Sequence, residues 1–78
     1  MYENVYILIP VFNEAQKIES VVNDLSVSFK NIVAVNDGST DSTQEILESL
    51  DVTTLKHSIN LGTGAAVLTG FKYIQKLN

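Results

Sequence analysis

The chain has 78 residues, enough for one domain and no more, and a chain so short buries only ~60% of the surface it exposes when unfolded. Nine acidic residues against five basic ones give a formal net charge of −4; with no basic run, this excludes nucleic acid as a partner. The absence of cysteine rules out a disulfide framework and a thiolate metal site, while the 45% hydrophobic content is that of a folded protein.

Val5, Tyr6, Ile7, Leu8 and Ile9 form an unbroken apolar run closed by Pro10. Runs of this kind suit a strand buried on both faces, as in a parallel sheet. With Val11 it is also the longest apolar stretch. It is too short to span a bilayer, and no signal peptide precedes it, so a soluble cytoplasmic domain is expected. From Glu14 the period changes: Ile18, Val21, Val22, Leu25 and Phe29 recur at steps of three and four, which predicts an amphipathic helix with Asn13 as its N-cap. Ile32, Val33, Ala34 and Val35 predict a second strand. Asp41 and Gln44 form a capping-box pattern ahead of a second helix with Ile46, Leu47 and Leu50 on its inner face. A third strand is predicted over residues 52–57, followed by a glycine-bearing loop. A last helix then carries Val67, Phe71 and Ile74 on one face.

The order β-α-β-α-β-α, with short connections, predicts an α/β fold: a three-stranded parallel, Rossmann-like half-sheet occupying residues 1–78. In such sheets ligands sit outside the carboxyl ends of the strands. Each predicted strand ends there in a polar loop, at residues 12–14, 36–41 and 58–64.

The loop at residues 36–41, Asn-Asp-Gly-Ser-Thr-Asp, holds more polar groups than a turn and a cap need. Those tasks account for Gly38 and Asp41 but leave Asp37 and Ser39 unused. An EF-hand is ruled out, because Ser42 stands where its central glycine belongs and a strand precedes the loop. A haloacid-dehalogenase-like phosphatase would need an aspartate at Ser39. The stretch Asn-Leu-Gly-Thr-Gly-Ala-Ala at residues 60–66 is a weak dinucleotide fingerprint: Val67 replaces its third glycine, and it follows the third strand instead of the first. Free N–H groups at a glycine-rich helix start can still approach phosphate, while close packing on the sheet explains the glycines equally well. His57 reads as a loop or packing residue rather than a catalyst. Glu14, in a first helical turn, could simply complement the helix dipole.

Taken together, Ile-Pro-Val-Phe-Asn-Glu at residues 9–14, Asn-Asp-Gly-Ser-Thr-Asp at 36–41, and Asn-Leu-Gly-Thr-Gly-Ala-Ala at 60–66 with Gly70 beyond resemble the family 2 glycosyltransferases of GT-A fold. The nearest likeness is to the branch that glycosylates dolichyl or other polyprenyl phosphates. The resemblance implies that Pro10, Phe12 and Glu14 line a nucleoside pocket, and that Asp37, with Ser39 beside it, reads a base N–H. It further implies that Asp41 caps or contacts, and that Asn60, Gly62 and Gly64 close the nucleotide side. Asn36 and Thr63 depart from the commoner aspartate and basic residue or glycine of the family. The implied reaction moves a sugar from a UDP- or GDP-linked donor to an acceptor, with polyprenyl phosphate as one acceptor class. A divalent ion, Mg or Mn, is expected for the full-length enzyme. The family's Asp-x-Asp motif and catalytic base come later than Asn78. The expectation is therefore an N-terminal nucleotide-binding fragment that binds nucleotide weakly, carries no catalytic or metal-ligating residue and is inactive alone. Membrane contact would come only through other regions. The alternative is a self-contained, non-catalytic α/β module that binds a nucleotide or a protein. Two further expectations follow: Asp37→Asn should weaken nucleotide binding yet leave stability nearly unchanged, and the edge of the first strand should support self-association as a dimer.

Overall fold

The computed structural model describes residues 2–77. Strands β1 (Tyr2–Val11), β2 (Phe29–Asp37) and β3 (Thr53–His57) alternate with helices α1 (Ile18–Ser26), α2 (Thr43–Ser49) and α3 (Thr63–Lys76). The sheet is parallel throughout with order β1-β2-β3, so the predicted α/β half-sheet is the observed fold. Register sets Ile9 beside Ala34, Val11 beside Asn36, and Asp37 beside His57.

Strand alternation sends successive side chains to opposite faces. On one face, Val11 and Ala34 join Ile18 and Val22 of α1 and Leu47 of α2 in a buried core, with Ile9, Ile46, Leu50 and Val52 around it. On the other face, Leu8 meets α3 at Gly70, where an added Cβ would lie 2.1 Å from Leu8 Cδ1. Helices α1 and α2 therefore cover one face and α3 the other. Among the described residues β1 pairs only with β2, which leaves its outer edge free.

Three local expectations are corrected. First, Asn13 does not cap α1. It sits at φ +52°, and a turn closed by the N–H groups of Lys17 and Ile18 on the Glu14 carbonyl delays the helix to Ile18. Second, Phe29 is not on α1, which ends at Ser26; the Ser28 N–H closes onto the Leu25 carbonyl and Phe29 opens β2 beside Tyr2. Third, the capping box does not form. Thr43 N–H donates to Asp41 Oδ1 at 3.0 Å as in an Asx turn, while the Gln44 amide turns toward Asn36 and Glu48. Val67, Phe71 and Ile74 do share one face of α3, but the residues seated on the sheet are Ala66 and Gly70; Val67 and Phe71 are 41% and 52% exposed and Ile74 is half-buried. Small residues win there because they let the helix backbone approach Leu8, and the larger apolar side chains are turned to the flank.

Candidate functional site

The carboxyl ends of the three strands gather the three polar loops on one edge, held by two hydrogen-bonded clusters. They originate in adjacent residues at the end of β2, Asn36 and Asp37, which point to opposite faces of the sheet. Both lie within the strand rather than in a loop, and both are buried, at 1% and 3% exposure.

Asn36 organises the α1–α2 side. Its Oδ1 accepts from the Ser39 N–H at 3.3 Å and from the Ser39 hydroxyl, and its Nδ2 donates to Gln44 Oε1 at 2.7 Å. The Asn13 N–H donates to Ser39 Oγ at 2.9 Å, and Asn13 Oδ1 accepts from the Thr40 N–H at 2.8 Å. These bonds explain why Asn13 takes a left-handed conformation, which asparagine tolerates better than most residues. The Glu14 N–H donates to Thr43 Oγ1 at 3.0 Å and the Ala15 N–H to Asp41 Oδ2 at 3.3 Å. Asp41 also accepts from the Thr43 hydroxyl, and this bond chiefly holds its carboxyl below the usual range, with the Thr43 and Ala15 N–H groups adding to it.

Asp37 organises the α3 side. Its Oδ1 accepts from His57 Nδ1 at 2.8 Å and from the Leu61 N–H at 2.9 Å; its Oδ2 accepts from the Gly62 N–H at 2.8 Å and Asn60 Nδ2 at 3.1 Å. The His57 bond, then the Leu61 and Gly62 N–H groups, depress its pKa against the opposing pull of burial. Four bonds occupy the roughly four acceptor positions of a carboxylate. In this conformation Asp37 holds the loop at residues 58–62 in place and has no acceptor left over for a ligand N–H. The premise that the Asp37 carboxylate has no part in the fold is thereby corrected, and Asp37→Asn is now expected to cost stability, since an amide puts a donor among these donors. Gly38, at φ +71°, lets the two loops touch: a Cβ there would meet Asn60 N and Ile59 C at 2.3 Å.

The remaining candidates form the exposed rim. Phe12 leaves 46% of its surface open, next to exposed Pro10 and Glu14. Asn60 and Gly64 are exposed and Ser39 half-buried, while Gly62, at φ +102°, has its N–H taken by Asp37. A groove lies beside the rim between residues 13–17 and Asp41 with Ser42. The structure thus brings Asn60, Gly62 and Asp37 into one cluster, ties Asp41 and Ser39 into the other, and leaves Pro10, Phe12 and Glu14 open at the edge of β1. Sequence reasoning passed over Thr43, Gln44 and Thr69 as site-building residues. Their only signal was a hydroxyl or amide at helix positions facing the sheet, and this becomes informative only once the partners are placed. Among the described residues no three His, Asp or Glu side chains converge as ligands for a metal ion. Among those residues, too, no helix is long and apolar enough to cross a membrane.

The family model described as glycosyl transferase family 2 matches residues 6–76. Among curated proteins, the chain is 39% identical over 90% of its length to an uncharacterised protein of Methanocaldococcus jannaschii, covering 29% of that protein. It is 34% identical over 94% of its length to the UDP-N-acetylglucosamine–dolichyl-phosphate N-acetylglucosaminyltransferase of Methanococcus voltae, covering 36% of it. A Bacillus subtilis protein provisionally named glycosyltransferase CsbB is 34% identical over 88% of the chain, which covers 24% of it. The chain thus spans about a third or less of the length of these relatives. No solved structure matches it.

Proposed function

The chain belongs to glycosyl transferase family 2, and on that premise we propose that it is the nucleotide-binding part of an enzyme that moves a sugar from a nucleotide-diphosphate donor to an acceptor. The observation that carries the proposal is the gathering of all three motif loops on the carboxyl edge of one parallel sheet, the edge where such sheets take ligands. The Phe12 ring offers a face on which a base can stack, with Pro10 and Glu14 beside it. Asp37 acts from within, shaping the nucleotide side by fixing Asn60, Leu61 and Gly62; it reads a base directly only if one of its present partners gives way. The donor is UDP- or GDP-linked. The name of the Methanococcus voltae relative favours UDP and a dolichyl-type phosphate acceptor. Residues 1–78 supply binding and no bond-making group, and the Mg or Mn ion of the full enzyme is held elsewhere. Self-association through the free edge of β1 belongs to the same proposal.

Titration with UDP and with GDP, followed by amide NMR, tests the assignment. Shifts should appear at residues 10–14 and 37–39, at affinities in the weak range. Shifts confined to the Gly62 loop, or none at millimolar nucleotide, would overturn it. In the full-length protein, sugar transfer from one of the two donors to a polyprenyl phosphate is the matching activity.

A further inference from the structure

Three side chains from three elements form one continuous hydrogen-bonded array that the rim contacts above do not use. Asp37 ends β2, His57 ends β3, and Thr69 lies in the second turn of α3. His57 Nδ1 is 2.8 Å from Asp37 Oδ1, and His57 Nε2 is 2.8 Å from Thr69 Oγ1; the imidazole is 11% exposed. We infer that His57 is a positioning residue for the nucleotide side of the edge: it locks the Asp37 carboxylate in the orientation that holds the Leu61 and Gly62 N–H groups, and Thr69 locks the imidazole in turn. The inference rests on the nucleotide-binding reading for its purpose, though not for its geometry.

The proton positions follow from the partners. An ionised carboxylate only accepts, so Nδ1 carries the hydrogen; in the neutral ring Nε2 is then an acceptor and the Thr69 hydroxyl donates to it. In the imidazolium both nitrogens donate and the Thr69 oxygen accepts, so the array persists in either state. Both ring nitrogens are thus committed, whereas a histidine that merely fills space needs no such pair. The loop beyond needs an external hold: Ile59 and Leu61 are 66% and 56% exposed, and Gly62 is at φ +102°. With little packing of its own, it takes its shape from Asp37. The order carboxylate–imidazole–hydroxyl is also that of a hydrolase triad. Thr69 nevertheless lies in the body of a helix, where the N–H groups around it are spent on carbonyls of the preceding turn and cannot form an oxyanion hole. The array positions; it does not attack.

The first test needs no variant. Nitrogen-proton correlation of the His57 ring should show the proton on Nδ1 at neutral pH; a ring protonated on Nε2 alone would overturn the array. The second test compares His57→Asn with His57→Gln. The shorter amide places its nitrogen near Nδ1 and keeps the donor to Asp37, while the longer one reaches toward Nε2 and loses it. His57→Gln should move the Leu61 and Gly62 amide protons upfield and weaken UDP or GDP binding about tenfold, against less than about threefold for His57→Asn. Equal effects of the two variants, or unmoved Leu61 and Gly62 amides in His57→Gln, would overturn the positioning role. If the unsubstituted chain binds neither nucleotide, the functional reading fails, while the ring proton and the two amides still decide the array.

Discussion

The two faces of the sheet are finished to different degrees. On the α1–α2 face, large side chains interlock: Val11, Ile18, Val22 and Leu47 are each at most 2% exposed. On the α3 face, contact rests on the small residues Ala66 and Gly70, and Val67, Leu68 and Phe71 stay more than 40% exposed. Helical geometry explains where these go. Val67 and Phe71 lie about 160° around α3 from Thr69, at 100° per residue. Thr69 reaches toward β3, so they project on the flank nearer the free edge of β1. One face holds the buried core, and the other keeps an apolar border beside an open strand. The comparison teaches that burial and hydrophobicity part company where a helix must approach a sheet closely.

The sharpest way to break this comparison is to empty the finished face. Leu47→Ala should cost about 2–5 kcal/mol through lost burial and a cavity. A chain of this size has a total stability on the order of 5 kcal/mol, so denaturant titration should find it largely unfolded. A loss below about 1 kcal/mol would mean that the core is not concentrated there.

Gly38→Ala comes next. It places a Cβ at φ +71° and within 2.3 Å of the Ile59–Asn60 backbone, so conformational strain and overpacking add to about 2–4 kcal/mol. A melting temperature near that of the unsubstituted chain would show that the two loops do not touch in solution.

Asp37→Asn should lower the melting temperature by less than Gly38→Ala, and its pH dependence identifies the cause. The folded-state pKa of Asp37 lies below the ordinary value of 3.8. Its contribution is therefore fully present above about pH 4 and is lost as the pH falls through the depressed pKa. The variant should be less stable at neutral pH and lose less on acidification, with the residual acid loss coming from Asp41, whose pKa is lowered too. Parallel acid profiles for the two proteins would remove Asp37 from the acid transition.

The smallest effect on stability belongs to the open face. Phe71→Ser should cost about 1 kcal/mol, since about half of the side chain is covered, yet weaken concentration-dependent association measured by light scattering. An unchanged association curve would exclude the α3 flank from the contact, and a large stability loss would mean that Phe71 is covered after all.

Apolar periodicity determined the element order, the parallel sheet and the edge at which the polar loops meet. Unbroken β-branched runs, three-and-four spacing and short polar connections leave few alternatives, and every strand must then end at the same edge. Periodicity found the apolar face of α3 but not its seat on the sheet, because it ranks residues by hydrophobicity, whereas the distance between helix and sheet is set by the smallest side chains between them, Ala66 and Gly70. The polar residues at the site were legible as a cluster, but their partners were not. Asn36 and Asp37 are neighbours in sequence, yet strand alternation sends one to Ser39 and Gln44 and the other to His57, Asn60, Leu61 and Gly62. A hydrogen bond depends on position to a few tenths of an ångström, and that precision arises only when the register of β2 with β3 and the seat of α3 on Leu8 are set. The sequence by itself therefore determined which edge gathers the polar loops, and the tertiary structure decided which carboxylate is already spent on holding that edge together.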